Sequence, residues 1–448
     1  MTISRRKFIT TGALGLGGLI VTERSFNFFT ASDVKAKIVI VGGGAAGITM
    51  AAYLSDKLRH DDITIIEPNE IHHYQPGYTF IASGTFTPDE IVKPTESLIP
   101  SGVNWIKDHV TELNPDINAV ITAKNGKIKY DFLVLVPGCV TDFNQIEGLS
   151  KETLGDGNIH SIYDFNGAQK CHEALQKLPA SKEGRLIFTD TYTKLKCGGA
   201  PKKICLLTED FLQNNNSREG FQIDYFSNST NLMTPKIFGD RLAELYDERG
   251  VSTHFKHRLI AVDPAAKKAV FQLLDEPTQA QLPITETTEQ LTVDYDFLHV
   301  TPPMATPDFV RNSAFAITEG DLRHSGWAKV NQETLISPDY PNVVILGDTA
   351  GLGTSKTGAA IRMQAPIAAS NLVSVMEGKE PEEIYNGYSA CPIVTEYGKV
   401  LMCEFGYDKK LLPTIPFIDP GVERGMWWVL KAHGLKPMYY HGMLKGLI

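Results

Sequence analysis

The stretch Lys37-Ile38-Val39-Ile40-Val41-Gly42-Gly43-Gly44-Ala45-Ala46-Gly47 carries more information than any other part of this 448-residue chain, together with Glu67 further on. Lys37–Val41 is almost wholly aliphatic, as a parallel strand covered on both faces must be. Gly42, Gly44 and Gly47 then fit the G-x-G-x-x-G spacing. The first glycine permits the tight turn, the second lets backbone approach a pyrophosphate, and the third lets helix lie close to strand. A helix over 45–58 points its N-terminal amides at the phosphates. A second strand, Ile63–Ile66, ends at Glu67, whose carboxylate can accept from ribose hydroxyls and disfavours a 2′-phosphate. Gly42, Gly44, Ala46, Gly47 and Glu67 are therefore the candidate nucleotide contacts, and the fold class is α/β.

Composition narrows the function. A hydrophobic content of 42% and a charged content of 21% are ordinary for a globular protein. A net charge of −9 argues against nucleic acid as a partner. Six cysteines without a CxxC pair form neither a disulfide scaffold nor a zinc site, so no metal is expected. At the N-terminus, Ser4-Arg5-Arg6-Lys7-Phe8-Ile9 precedes an apolar run from Ala13 to Val21 that is too short to span a bilayer. This resembles a twin-arginine signal and predicts export to the periplasm as a prefolded protein, with residues 1–33 removed.

Beyond the first strand–helix–strand unit, Trp105–Val110 and Lys127–Val136 read as strands, with Val110 and Gly138 at their ends as further cofactor contacts. A nucleotide-binding domain is expected over 34–150 and 318–385. A second Rossmann-like domain interrupts it over 151–317. There Arg185–Thr189 and Ile223–Ser227 read as strands and Pro235–Arg249 as a helix. After Leu186-Ile187-Phe188 comes Thr189-Asp190-Thr191-Tyr192-Thr193, with no second glycine fingerprint. A tight NAD(P)H site is therefore not expected. Asn342–Asp348 is a strand ending in Gly-Asp, followed by a helix over 359–373. The segment 386–448 mixes aromatics, Met and Lys, as short amphipathic helices in a lipid interface do. The Trp427-Trp428 and Tyr439-Tyr440 pairs are its most interfacial residues.

Several motifs together resemble sulfide:quinone oxidoreductases, particularly the branch that includes the mitochondrial enzyme. They are Tyr74-Gln75-Pro76, the run Lys196-Cys197-Gly198-Gly199-Ala200-Pro201-Lys202-Lys203, Thr301-Pro302-Pro303-Met304, Gly347-Asp348 with Thr354-Ser355-Lys356-Thr357, Cys391-Pro392-Ile393-Val394-Thr395, and Glu423-Arg424 through Gly442–Gly446. The resemblance spans nearly everything after residue 35. It implies FAD, two Rossmann-like domains, sulfide or a small sulfur compound as donor, quinone as acceptor and attachment to a membrane surface through the C-terminal part. A homo-oligomer is compatible with it. Tyr397 and Phe405 are the candidate quinone contacts. The implied place of action is the outer face of the cytoplasmic membrane.

Cys197 is the expected catalytic residue. It precedes a helix opened by Pro201 and lies among Lys196, Lys202 and Lys203, which should lower its pKa and favour the thiolate that attacks sulfur. Asp348 is expected on the flavin side of FAD, and Lys356 near the flavin ring, where a fixed cation stabilises the anionic reduced form. The sequence departs from the family at Thr349. The resemblance places the second redox cysteine there, after Gly-Asp, and threonine can neither form a disulfide nor carry a persulfide. Cys197 must then act alone or recruit Cys139, which reads as a spectator. Cys171, Cys205, Cys391 and Cys403 read as packing residues. Tyr163 stands where some members carry a cysteine that tethers the flavin, so a covalent link is not expected. Two alternatives stay open: the flavin subunit of a flavocytochrome c sulfide dehydrogenase, and a flavin-binding sulfur or electron carrier without turnover.

Overall fold

The computed structural model describes residues 31–282, 285 and 288–448. The arginine pair and the apolar run behind it lie outside the described residues. Two five-stranded parallel sheets form the frame. In the first, Ala36–Val41 is central, with Asp61–Ile66 and Asn104–Ile106 on one side and Phe132–Leu135 and Val343–Ile345 on the other. Ile38, Val39 and Ile40 are wholly buried, because the helices Ala45–Lys57 and Gly358–Met376 pack around this sheet and against each other. An aliphatic strand with no polar face fits only there.

The chain leaves this sheet after residue 135 and returns at 343. Between lies the second sheet, in the order Ile159–His160, Phe297–His299, Gly184–Thr189, Phe221–Phe226, Val251–His254. The C-terminal part adds an antiparallel hairpin, Ser389–Glu396 with Lys399–Phe405, and a run of helical turns from Gly425 to Lys445.

Two expectations change. The strand read over 105–110 is two: Asn104–Ile106 stays in the parallel sheet, and Val110 opens a separate antiparallel sheet. Asp108 causes the break. Its buried carboxylate accepts from the backbone N–H of His109 and Lys124 at 2.8 Å each and of Asn125 at 3.0 Å, which turns the chain. The interfacial pairs of the C-terminal segment also differ. Trp427, Tyr439 and Tyr440 are buried, and Tyr439 Oη lies 2.6 Å from Nε2 of the buried His72. The large apolar residues this segment exposes most are Phe417 at 76%, Val429 at 58%, Leu447 at 55% and Met426 at 49%. No helix among the described residues is long and apolar enough to cross a membrane.

Candidate functional site

The glycine loop is built as its spacing requires. Gly42 has φ +107°, and a Cβ there would lie 2.5 Å from the Val136 carbonyl oxygen. A Cβ on Gly47 would lie 1.8 Å from the Gly42 carbonyl oxygen, so only glycine lets the helix sit against the turn. At Gly44 a Cβ would meet nothing within 4 Å, and no side chain caps the helix that starts there. Its first amides are free for phosphate. Glu67 Oε2 accepts from Gly43 N at 2.7 Å, and Oε1 accepts from Asn69 N at 2.8 Å, so this carboxylate also braces the loop. A dinucleotide fits this cradle.

On the opposite side, Gly347, Thr354, Ser355, Lys356 and Thr357 line a cleft at the start of the helix Gly358–Met376, whose N-terminus Thr357 caps by accepting from Ala360 N. Gly138, at φ +77°, has open space at its Cα. Lys356 is buried, not a surface lysine. Its Nζ donates to the carbonyls of Asp348 and Ala350 at 2.7 and 2.8 Å and sits 3.8 Å from the Trp327 ring centre. Burial pulls it down to about 8, against the attraction of Asp348. Burial also raises the Asp348 carboxyl above its ordinary value. Cys139 Sγ donates to Asp348 Oδ2 at 3.9 Å, and burial pushes the thiol up to about 12. A thiol so held carries little thiolate near neutral pH.

The sulfur site overturns one reading. Cys197 Sγ lies 3.0 Å from Cys391 Sγ, so Cys391 is no packing residue. The pair is assembled from a loop and a strand. Ser389–Glu396 alternates, putting Cys391 and Ile393 on the face turned to the helix Ala200–Asn214. Cys197 ends the preceding loop with φ +87°, a left-handed backbone that a side chain adopts only under constraint. Gly198 and Gly199 follow it. Of the three flanking lysines, only Lys203 reaches the thiol, at 3.2 Å; Lys202 pairs with Asp190 at 3.2 Å and Lys196 donates to Gln75 Oε1 at 2.9 Å. The hydrogen bond from the Cys391 thiol, helped by the Lys203 and Lys431 ammoniums, holds Cys197 well below the ordinary thiol value despite burial. The same pairing, with burial, holds Cys391 well above it. Charge thus favours the thiolate on Cys197 and the proton on Cys391. Lys431, drawn down to about 8 by burial, comes from the C-terminal helical run and was not anticipated from sequence.

The structure leaves some candidates apart from this centre. Phe405, read as a quinone contact, is buried at 2% exposure in the cluster that also holds Cys391, Cys403 and Ile393. Tyr397 spends its phenol on the Ser83 carbonyl, 2.6 Å away. Val110 lies in its small antiparallel sheet. Thr349 is fully buried, and its hydroxyl has no hydrogen-bond partner among the described residues. No cluster of three or more His, Cys, Asp or Glu suited to a metal ion occurs among them either.

Known proteins share this architecture. Residues 36–183 match the family described as pyridine nucleotide-disulphide oxidoreductase. The mitochondrial sulfide:quinone oxidoreductase of Mus musculus is 37% identical over 92% of this chain and 86% of its own length, and that of Dictyostelium discoideum is 37% identical over the same shares. The X-ray structure of the sulfide:quinone oxidoreductase of Aquifex aeolicus superposes with a TM-score of 0.73 at 19% identity, covering 92% of each chain. These relatives overturn the expected periplasmic export by a twin-arginine route, since the similar eukaryotic proteins are mitochondrial. With the glycine cradle, the buried lysine cleft and the paired sulfurs, the likeness leads to one conclusion: the chain belongs to the sulfide:quinone oxidoreductase family and is an FAD-dependent oxidoreductase of that kind.

Proposed function

We propose that this chain oxidises sulfide at the Cys197/Cys391 pair and delivers two electrons through FAD to a quinone at a membrane surface. The observation that carries the reading is the 3.0 Å approach of the two sulfurs. Thiols this close can close into a disulfide with little movement. In the oxidised pair, hydrosulfide attacks Cys391 Sγ. The S–S bond breaks, and its electron pair leaves on Cys197. Lys203 and Lys431 make Cys197 the better leaving thiolate, which fixes the direction of attack. Cys391 then carries the added sulfur as a persulfide. A thiol-class nucleophile removes that sulfur and leaves both cysteines reduced. Closing the disulfide again releases two electrons, and bound FAD supplies the acceptor that passes them to quinone. Gly42, Gly44, Ala46, Gly47, Glu67, Gly138, Asp348 and Lys356 would hold the FAD.

The carrier reading loses its premise, because Thr349 does not remove the second thiol: Cys391 supplies it. The acceptor named for the relatives is quinone, which favours it over a cytochrome. Phe417, Met426 and Val429 are the residues we assign to the membrane surface, in place of Trp427, Tyr439 and Tyr440, which are buried.

An anaerobic sulfide titration, followed by addition of quinone, tests the reading. Cys197→Ser and Cys391→Ser should each abolish sulfide-driven flavin bleaching while FAD stays bound, and Cys139→Ser should behave as wild type. Full bleaching in Cys391→Ser would refute the paired mechanism.

A further inference from the structure

The sulfur pair has a neighbour to which the reaction above gives no task. Tyr163 sits between the short strand Ile159–His160 and the helix Phe165–Ser181. Its side chain is 6% exposed and joins the buried cluster that contains Cys391 and packs against Cys197 and Cys139. Its hydroxyl has no hydrogen-bond partner among the described residues. A buried phenol without an acceptor is costly to keep, and a phenylalanine would fill the same space. Tyr225 and Tyr246 also lack partners, but their rings meet edge to face, 5.5 Å apart, and the charged and thiol groups that act on them are Asp190 and Cys205, not Cys197 or Cys391. The ionisable groups around the Tyr163 phenol are Cys197 first, then Cys391, Asp190 and Cys139. Burial, and after it the negative charge at Cys197, raise the phenol well above its ordinary value, so it remains a protonated donor.

We propose that the Tyr163 hydroxyl is a sulfur-binding donor, kept unpaired in the protein so that it can hydrogen-bond the sulfane sulfur carried by Cys391. The proposal rests on the paired-cysteine reading. Tyr163 keeps its proton throughout and makes no covalent bond. It favours the charged persulfide over its loss to solvent, and it stays free in this structure because neither cysteine sulfur lies within hydrogen-bond distance of it. A thiol or disulfide sulfur is a poor acceptor, whereas an anionic terminal sulfur is a good one.

The test uses the full-length holoprotein, oxidised, given one equivalent of sodium sulfide without oxygen. Retained sulfane sulfur is read by cyanolysis at timed intervals. Tyr163→Phe removes one oxygen that bonds nothing in the protein, so flavin content should stay at the wild-type value and Tm at or slightly above it. Sulfane sulfur should be lost about tenfold faster. Retention within twofold of wild type would overturn the proposal, as would a fall in Tm that tracks the loss, since that marks a structural hydroxyl. If the variant does not fold, 3-fluorotyrosine at position 163, a stronger donor of nearly the same shape, decides the matter. Longer retention supports the role and unchanged retention refutes it. Cys391→Ser separates the two layers. No cyanolysable sulfur in that variant leaves the paired reading standing whatever Tyr163→Phe does. Full retention in it removes both.

Discussion

Gly199→Ala should dismantle the sulfur pair without touching a sulfur. Gly199 has ordinary right-handed dihedrals, φ −85° and ψ −8°, so alanine is conformationally allowed there. The obstacle is space. A Cβ would lie 1.9 Å from Ile393 Cδ1 and 2.7 Å from Cys391 Sγ, and both contacts must open to the 3.4–4 Å of normal packing. Ile393 Cδ1 ends a side chain that can turn, but Cys391 Sγ is one bond from its Cβ. The strand or the helix must therefore retreat. Overpacking of this kind costs about 1–3 kcal/mol. With about 2.1 cal/mol/K of unfolding entropy per residue, a chain of 448 residues loses only about 1–3 °C of Tm. The chemistry should suffer far more, because a misplacement of about 1 Å between reacting atoms can cost about a hundredfold. Differential scanning calorimetry, thiol titration of the oxidised protein and sulfide-driven flavin bleaching read the three effects. Adding Ile393→Val removes the 1.9 Å clash and leaves the 2.7 Å one, so it should recover most of the Tm and little of the bleaching. Wild-type bleaching and a titration showing an intact disulfide in Gly199→Ala would refute this account of how the pair is held.

Three further outcomes are expected. Lys203→Met removes the ammonium 3.2 Å from Cys197, so the acid limb of the pH profile for sulfide-driven flavin reduction should move toward alkaline pH by about one unit or more; an unmoved limb would show that Lys203 does not set the thiolate. His72 and His160 are both depressed from 6.5 to about 4 by burial, and His299 to about 3. Their neutral forms contribute stability that is full above 6.5 and is lost as pH falls through 4, so unfolding near pH 5 should take up protons on all three; chemical denaturation at pH 7 and pH 5 with no loss of stability would contradict this. Phe417→Glu with Val429→Glu places charge where 76% and 58% of the side chains face out, and should abolish sedimentation with liposomes while Tm is kept; undiminished sedimentation would move the membrane face elsewhere.

Much of the nucleotide half was legible because local rules decide it. A strand with no polar face, glycines at fixed steps and an acid at the next strand end leave few foldings. Ala45–Lys57 and Gly184–Thr189 fell where periodicity put them, and the missing second fingerprint was readable as an absence. The partner of Cys197 was not readable, because 194 residues separate the two cysteines and only tertiary packing joins them. Side chains two apart on a strand share a face, so Cys391 and Ile393 fall together, but nothing local says which loop meets that face. The interfacial reading of Trp427 and Tyr439 failed for a related reason: an aromatic-rich helical stretch looks the same whether it covers a protein core or a lipid headgroup layer.

Lys431 binds the two ends of the proposed electron path into one thermodynamic cycle. The helical run that bears the exposed Met426 and Val429 also brings this buried ammonium to the cysteines, and its Tyr439 reaches His72, which hydrogen-bonds the Gly43 backbone of the glycine loop. Whatever seats or lifts that run changes the acidity of Cys197. By reciprocity, a negative charge on Cys197 tightens the seating of the run, and neutralising it by oxidation loosens it. On the membrane attachment proposed above, the affinity for a membrane would report on the oxidation state of the sulfurs, and a truncation that removed the run would also retune the thiolate.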